Sequence, residues 1–385
     1  MVNLTAQHSK DKFGERVKNL RQLRRHLKKH APRHWGRLVS HYIYNVCWLC
    51  VLKFVCGCLR KKIVVISLVG RMGDIVACEP VARQVRQQYP NDVILWCVAP
   101  RYRSLISGNP FITHALTVVC LTEWMWLQRY RFFDHVIDLH VNLKECGSCV
   151  RPQKKQTGNV EITTENYYHY GPLLTAFTQS AGYPVAPQQP YVYVSAPARE
   201  AVERLRLPTR FVAVHALSDE ESRNWDPGKW WALIALIDAK LGLPVVEVGH
   251  RSALEVSPSG QFMNVCGRCQ ILETAEVIRR AEIFVGVDSG PAHLANAMKT
   301  CGIILLGSYR AFRGYTPYTG FYADSRHATL IRHSGPAHGI AVATCFAAVQ
   351  ERLARRTIRP ASHPVGALAA GAPAWTRDRV IKNGS

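Results

Sequence analysis

Residues 284–298, FVGVDSGPAHLANAM, constrain the fold of this chain more than any other stretch. The β-branched apolar run at 283–287 suits a strand buried on both faces of a parallel sheet, and Asp288-Ser289-Gly290-Pro291 ends it abruptly. A helix follows, with Leu294, Ala297 and Met298 at packing spacing. Strand, tight turn and helix in this order make an α/β unit whose helix N-terminus, with its free amides and positive dipole end, points into the crevice beyond the strand ends. Gly290 would let a ligand approach the backbone closely. A diphosphate suits that seat, although the same shape also serves ordinary α/β structure.

The same alternation recurs along the chain. Strands are expected at 63–67, 93–98, 115–119 and 136–139, with helical patterns at 76–88 and 124–131. Residues 150–168 are polar and irregular and read as a mobile loop, followed by a helix at 172–181. A proline-rich extended linker at 182–197 precedes a second series, with strands at 211–215, 245–248, 283–287 and 303–306 and helices at 229–240 and 273–281. The expected architecture is α/β, with two Rossmann-like domains, 61–190 and 191–355, facing a central cleft. A basic, partly apolar extension (1–60) precedes them. An Arg-, Pro- and Ala-rich tail (356–385) follows and is expected to be partly disordered.

The formal net charge of +22 favours anionic partners: nucleic acid, an acidic membrane or phosphorylated substrates. No helix-turn-helix or RNA-binding signature is present and the excess charge sits largely in the terminal extensions, so nucleic acid is not expected. In the N-terminal extension Leu20, Leu23 and Leu27 share a helical face ringed by Arg21, Arg24, Arg25, Lys28 and Lys29, which suits an anionic surface. Residues 39–59 are long enough to cross a bilayer, yet His41, Asn45 and Lys53 interrupt them. A helix lying in the membrane interface fits these interruptions better than a span, and packing on the catalytic body is the alternative. The extension lacks the apolar core and cleavage site of a secretion signal, and the thirteen cysteines follow no regular framework. The expected location is therefore cytoplasmic, at the inner face of the cytoplasmic membrane. Cys47, Cys50, Cys56 and Cys58 read as small buried hydrophobes. The pairs Cys146-Cys149 and Cys266-Cys269 have C-x-x-C form and could supply four ligands if folding joined them; nothing in the sequence indicates that it does, and no metal or cofactor is expected.

Three strand ends carry candidate chemistry. Gly70-Arg71-Met72-Gly73-Asp74 places Asp74 at a strand-to-helix turn, where its carboxylate could cap the helix or act as a general base. After the strand ending at His215, Arg223 could meet a phosphate across from Asp288 or pair with Glu220 or Glu221, while Trp225 and Trp230 wedge the turn against the sheet. In a third turn Glu255 could accept hydrogen bonds from ribose hydroxyls. His293 could serve the site or be a hydrogen-bonded structural residue. No G-x-G-x-x-G closes the first strand of either half, which argues against a nicotinamide enzyme.

Together the G-R-M-G-D-I-V turn with its following E-P-V, the V-I-D-L-H of residues 136–140, the R-N-W-x-P turn and G-V-D-S-G-P-A-H-L-A resemble glycosyltransferase family nine, the heptosyltransferases of lipopolysaccharide assembly. The resemblance spans residues 61–350. It implies a GT-B fold, an acceptor-binding first domain, a nucleotide-sugar-binding second domain and metal-independent inverting transfer of a heptose-type sugar, ADP-heptose being the favoured donor. Carried over by position, the catalytic aspartate is Asp74, with Arg71, Gly73 and His140 on the acceptor side. The donor turn is Asp288, Ser289, Gly290, Pro291 and His293. The family usually has lysine where this chain has Arg223, and a forked guanidinium is not a point charge. The partners implied are a nucleotide-sugar donor, an anionic glycan or glycolipid acceptor and an anionic membrane surface. A membrane-associated nucleotide-sugar-binding protein without turnover is the alternative, and the intact Asp74 speaks against it.

Overall fold

The structure, a computed structural model, describes residues 33–254, 261–307, 314–324 and 326–357. Glu255, the leucine-lined basic face of 1–32 and the tail beyond 357 lie outside the described residues.

A long helix, α1 (Arg33–Cys58), precedes the first domain. That domain runs β1 (Ile63–Ser67), α2 (Met72–Ala77), α3 (Glu79–Gln88), β2 (Val93–Val98), α4 (Arg103–Ser107), β3 (His114–Thr117), α5 (Leu121–Leu127), β4 (His135–Asp138), the short hairpin β5 (Lys144–Glu145) and β6 (Pro152–Gln153), and α6 (Leu173–Ser180). Its main sheet is parallel, four-stranded, in the order β3-β2-β1-β4. The second domain runs α7 (Ala196–Glu203), β7 (Val212–His215), α8 (Pro227–Leu241), β8 (Val245–Glu247), β9 (Phe262–Asn264), α9 (Ile271–Arg280), β10 (Ile283–Val287), α10 (Gly290–Ala297), β11 (Gly302–Leu306), β12 (Ala328–Arg332) and α11 (Val342–Thr357). Its sheet is parallel, six-stranded, in the order β12-β11-β10-β7-β8-β9.

Both central strands are buried along their whole length, as continuous apolar runs in parallel sheets must be. Alternation sorts their side chains. Val64 and Ile66 face the core shared with α2, α3 and α6, whereas Ile63 and Val65 face a separate core built from α1 and α5. Helix α1 is therefore one of the covering layers of the first sheet, with Leu38 and Leu49 fully buried against it. In the second domain Val285 and Val287 pack under α8 and α11, and Phe284 packs on the cleft side with α9 and α10.

Three expectations change. Of the cysteines at 47–58 only Cys56 is buried; Cys47, Cys50 and Cys58 are exposed, because α1 covers the sheet with one face only. The single helix at 76–88 is two helices: Pro80, in the first turn of α3, has no N–H to continue the ladder, so the chain breaks at Cys78. The loop at 150–168 is tied down at its start. β6 pairs with β5, and the half-buried Lys155 ammonium donates to the carbonyls of Asp138 (2.7 Å), His140 (2.9 Å) and Ser180 (2.7 Å). Burial lowers the Lys155 pKa and Asp138 opposes that shift.

The linker at 182–195 is extended and is fastened to both domains. Gln189 accepts from Arg83 of α3 through its carbonyl (2.5 Å), donates to the Asn296 carbonyl of α10 (2.7 Å) and accepts from the Phe321 amide (2.6 Å). Beside it the buried Glu79 carboxylate accepts from the Tyr191 amide (3.1 Å) and the Tyr193 hydroxyl (3.1 Å) and pairs with Arg83 (3.2 Å). Burial raises the Glu79 pKa, opposed by Arg83 and these hydrogen bonds.

Candidate active site

The first turns of α2 and α10, from opposite domains, pack directly against each other. A Cβ on Gly73 would lie 2.6 Å from Cδ2 of His293, and one on Gly290 would collide with the Met72 side chain. Glycine at both positions is what permits the approach. It brings Asp74, at the third position of α2, to the turn that starts α10.

Asp74 is half-buried, and its carboxylate accepts a hydrogen bond from the Arg71 amide (3.1 Å). The capping role is thus real, and it leaves the second carboxylate oxygen to reach a hydroxyl. Arg71 itself is exposed at the mouth of the turn.

Across the contact, Asp288 accepts from the Tyr318 hydroxyl (2.7 Å) and pairs with Arg223 (3.1 Å), which also donates to the Asp288 carbonyl (3.2 Å). Arg223 therefore faces the Asp288 turn, and its ion pair is with Asp288 instead of Glu220 or Glu221. The neighbouring sequence places it there. Asn224 bridges the amide (2.6 Å) and carbonyl (3.0 Å) of Ser218, Trp225 is buried with its indole donating to the Ile340 carbonyl (2.9 Å), and Asp226 caps α8 through the Gly228 amide (2.7 Å) ahead of Pro227. The R-N-W-x-P turn is a loop clasp, a core anchor and a helix start in succession.

Ser289 occupies the N-cap of α10, but its hydroxyl donates backward to the Val287 carbonyl (3.1 Å), so no side chain caps the helix. With Pro291 in the first turn, the amide end of α10 is turned toward the cleft. His293 is buried beneath this turn, its ring 4.7 Å from that of Tyr318. Burial lowers its pKa, with Asp288 and Asp74 opposing, so it is neutral at pH 7.

His140 is buried beside the end of β1. The Val69 amide donates to its Nε2 (2.7 Å), so the ring proton is on Nδ1 and is given to Asp138 (2.5 Å). Burial alone would raise the Asp138 pKa; His140 and Lys155 outweigh it and hold the carboxyl below the usual range. The V-I-D-L-H segment therefore buttresses the end of β1, and His140 holds the Val69 amide at the start of the turn that leads to Asp74.

Tyr318, Gln153, Lys155 and Glu247 had no role in the sequence reading. Glu247, buried at the end of β8, organises the following turn by accepting from Ser252 (2.5 Å) and the Ala253 amide (3.2 Å). Tyr318 sits in the aromatic G-Y-T-P-Y-T-G run, which carries no spacing signal, and only the folded chain brings it to Asp288.

Two Rossmann-like domains joined by a short linker, with a carboxylate-bearing turn facing an uncapped helix start, make a GT-B fold. Residues 170–326 match the family model described as glycosyltransferase family 9 (heptosyltransferase). Among solved structures, Escherichia coli ADP-heptose lipopolysaccharide heptosyltransferase II aligns with TM-score 0.57 at 18% identity, over 76% of this chain and 99% of that one. The family 9 glycosyl transferase of Veillonella parvula DSM 2008 aligns with TM-score 0.56 at 14% identity, over 77% and 98%. E. coli heptosyltransferase WaaC with ADP-2-deoxy-2-fluoro heptose aligns with TM-score 0.50 at 18% identity, over 75% and 99%. At these identities the likeness speaks for the fold. No curated protein sequence matches the chain significantly.

Proposed function

We propose that this glycosyltransferase moves a heptose-type sugar, with inversion and without a metal at the reacting centre, from a nucleotide-diphosphate donor, ADP-heptose by preference, to an anionic glycan or glycolipid acceptor of the lipopolysaccharide type. The observation that carries the reading is the contact between α2 and α10, which sets Asp74 opposite the turn at 288–293. Asp74 takes the proton of the acceptor hydroxyl as the new C–O bond forms at the anomeric carbon, and the bond to the diphosphate breaks on the opposite face. The electron pair leaves with the diphosphate, whose growing charge meets the amide end of α10, the Ser289 hydroxyl and Arg223. Asp288, already bonded to Tyr318 and Arg223, shapes this turn. The aligned ADP-heptose lipopolysaccharide heptosyltransferase II, and the heptosyltransferase solved with ADP-2-deoxy-2-fluoro heptose, favour an adenine nucleotide.

Binding is tested with a panel of nucleotide sugars by native mass spectrometry. Arg223→Ala should weaken nucleotide-diphosphate affinity by roughly tenfold to a hundredfold, the scale of a charge-assisted hydrogen bond. Unchanged affinity would mean that Arg223 serves only the Asp288 turn.

Attachment to the inner face of the cytoplasmic membrane belongs to the same reading. The three polar residues that interrupt the apolar stretch of α1 all face the body: His41 (2.8 Å) and Asn45 (2.6 Å) bond to the buried Glu123, and Lys53 to Asp134 (2.7 Å). The opposite side exposes Ile43 (55%), Tyr44 (65%), Val51 (64%) and Phe54 (74%), an uninterrupted apolar stripe at helical spacing. Ile43→Glu with Phe54→Glu should abolish cosedimentation with anionic liposomes and leave turnover on a soluble acceptor unchanged. Persistent sedimentation would remove α1 from that role.

A further inference from the structure

The motif that the active site leaves unused is Cys146-x-x-Cys149. The structure does not join it to Cys266-x-x-Cys269, which follow β9 in the other domain. It joins it to two residues distant in sequence. Cys120, the N-cap of α5, and His34, in the first turn of α1, converge on the turn between β5 and β6 that carries the C-x-x-C pair. Cys120 Sγ lies 3.9 Å from Cys149 Sγ; His34 Nε2 lies 3.4 Å from Cys149 Sγ and 4.0 Å from Cys120 Sγ. Cys146, buried at the start of the same turn, supplies a further thiol beside this group of three.

These separations discriminate between chemistries. A tetrahedral ion with Zn–S of about 2.3 Å and Zn–N of about 2.0 Å has ligand-to-ligand edges of about 3.8 Å for S···S and about 3.5 Å for N···S. A disulfide needs sulfurs about 2.05 Å apart. The observed spacing fits the ion. The turn itself is tight in the way a two-ligand knuckle requires: the Val150 amide bonds back to the Cys146 carbonyl (2.7 Å), with Val150 at φ 52°, a conformation that a β-branched residue adopts only under constraint.

We propose that His34, Cys120, Cys146 and Cys149 form a Cys3His site for a thiophilic divalent cation, zinc by ligand type, which pins α1 to the first domain. The site lies with the core between α1, α5 and the first sheet, on the side away from α2 and Asp74, so its role is structural. Binding converts the three thiols to thiolates and releases their protons to solvent.

The full chain, purified without chelator, should contain about one zinc per molecule by elemental mass spectrometry. After chelation, cobalt(II) added to the wild-type chain should give the intense visible absorption and thiolate charge-transfer band of a tetrahedral sulfur-rich site at one equivalent, and zinc should displace it. Cys149→Ser and His34→Ala should lose or weaken that spectrum, and Cys266→Ser should leave it intact. Weak octahedral cobalt absorption in the wild-type chain, equal loss with Cys266→Ser, or a Cys120–Cys149 disulfide found by peptide mapping would each overturn the site. The cobalt spectrum is read on the unaltered chain, so a variant that fails to fold leaves the test decisive.

Discussion

Asp74→Asn is expected to lower turnover by a hundredfold or more, roughly the scale of general-base catalysis, while nucleotide-sugar affinity stays within about twofold of the original. The asparagine keeps the shape, and its amide oxygen still accepts from the Arg71 amide, so the start of α2 and its contact with His293 are retained. What is lost is basicity, because an amide cannot take the acceptor's proton at neutral pH. Turnover and donor affinity must therefore separate in this variant. Near-normal transfer rates would show that the carboxylate only caps its helix.

The second large effect is on stability. Glu79→Ala is expected to destabilise the protein by about 3 kcal/mol, in the range found when one partner of a buried ion pair is removed. The substitution leaves Arg83, the Tyr191 amide and the Tyr193 hydroxyl without their common acceptor where the linker crosses α3. Glu79→Gln keeps an acceptor and removes the charge, so denaturant unfolding should place it between the two. Equal stability of all three forms would show that water replaces the carboxylate and that the linker is held by Gln189 alone.

Much of this architecture is readable in the sequence because parallel strands buried on both faces announce themselves as unbroken β-branched runs. The strands at 63–67, 93–98 and 283–287 coincide with β1, β2 and β10. The short β9 and β12 and helix α7 are partly exposed, and their weaker apolar patterns do not stand out from the surrounding sequence. The candidate site divides in the same way. Asp74, Arg223, Asp288 and His293 lie at strand ends, where local order fixes position, and the structure brings them together. His140 also follows a strand end, yet its orientation depends on the Val69 amide and Asp138, a tertiary matter that no spacing encodes. Tyr318 and Lys155 reach their partners through loops and left no periodic trace. The polar residues of α1 show the limit most clearly. In the sequence they weaken the apolar stretch; in the structure they all turn inward, and the outward face is more apolar than the sequence average suggests.

Because α1 is clasped to the first sheet through Leu38, Leu49 and the Glu123 hydrogen bonds, no free joint lies between its outer stripe and the domain that carries Asp74. Whatever surface that stripe rests on is held at a set height from the reacting carboxylate. On the proposed membrane attachment the helix would work as a ruler: acceptor hydroxyls would be chosen partly by their distance from the surface, and a glycan one sugar longer or shorter would present the wrong hydroxyl without any change in the residues that bind it.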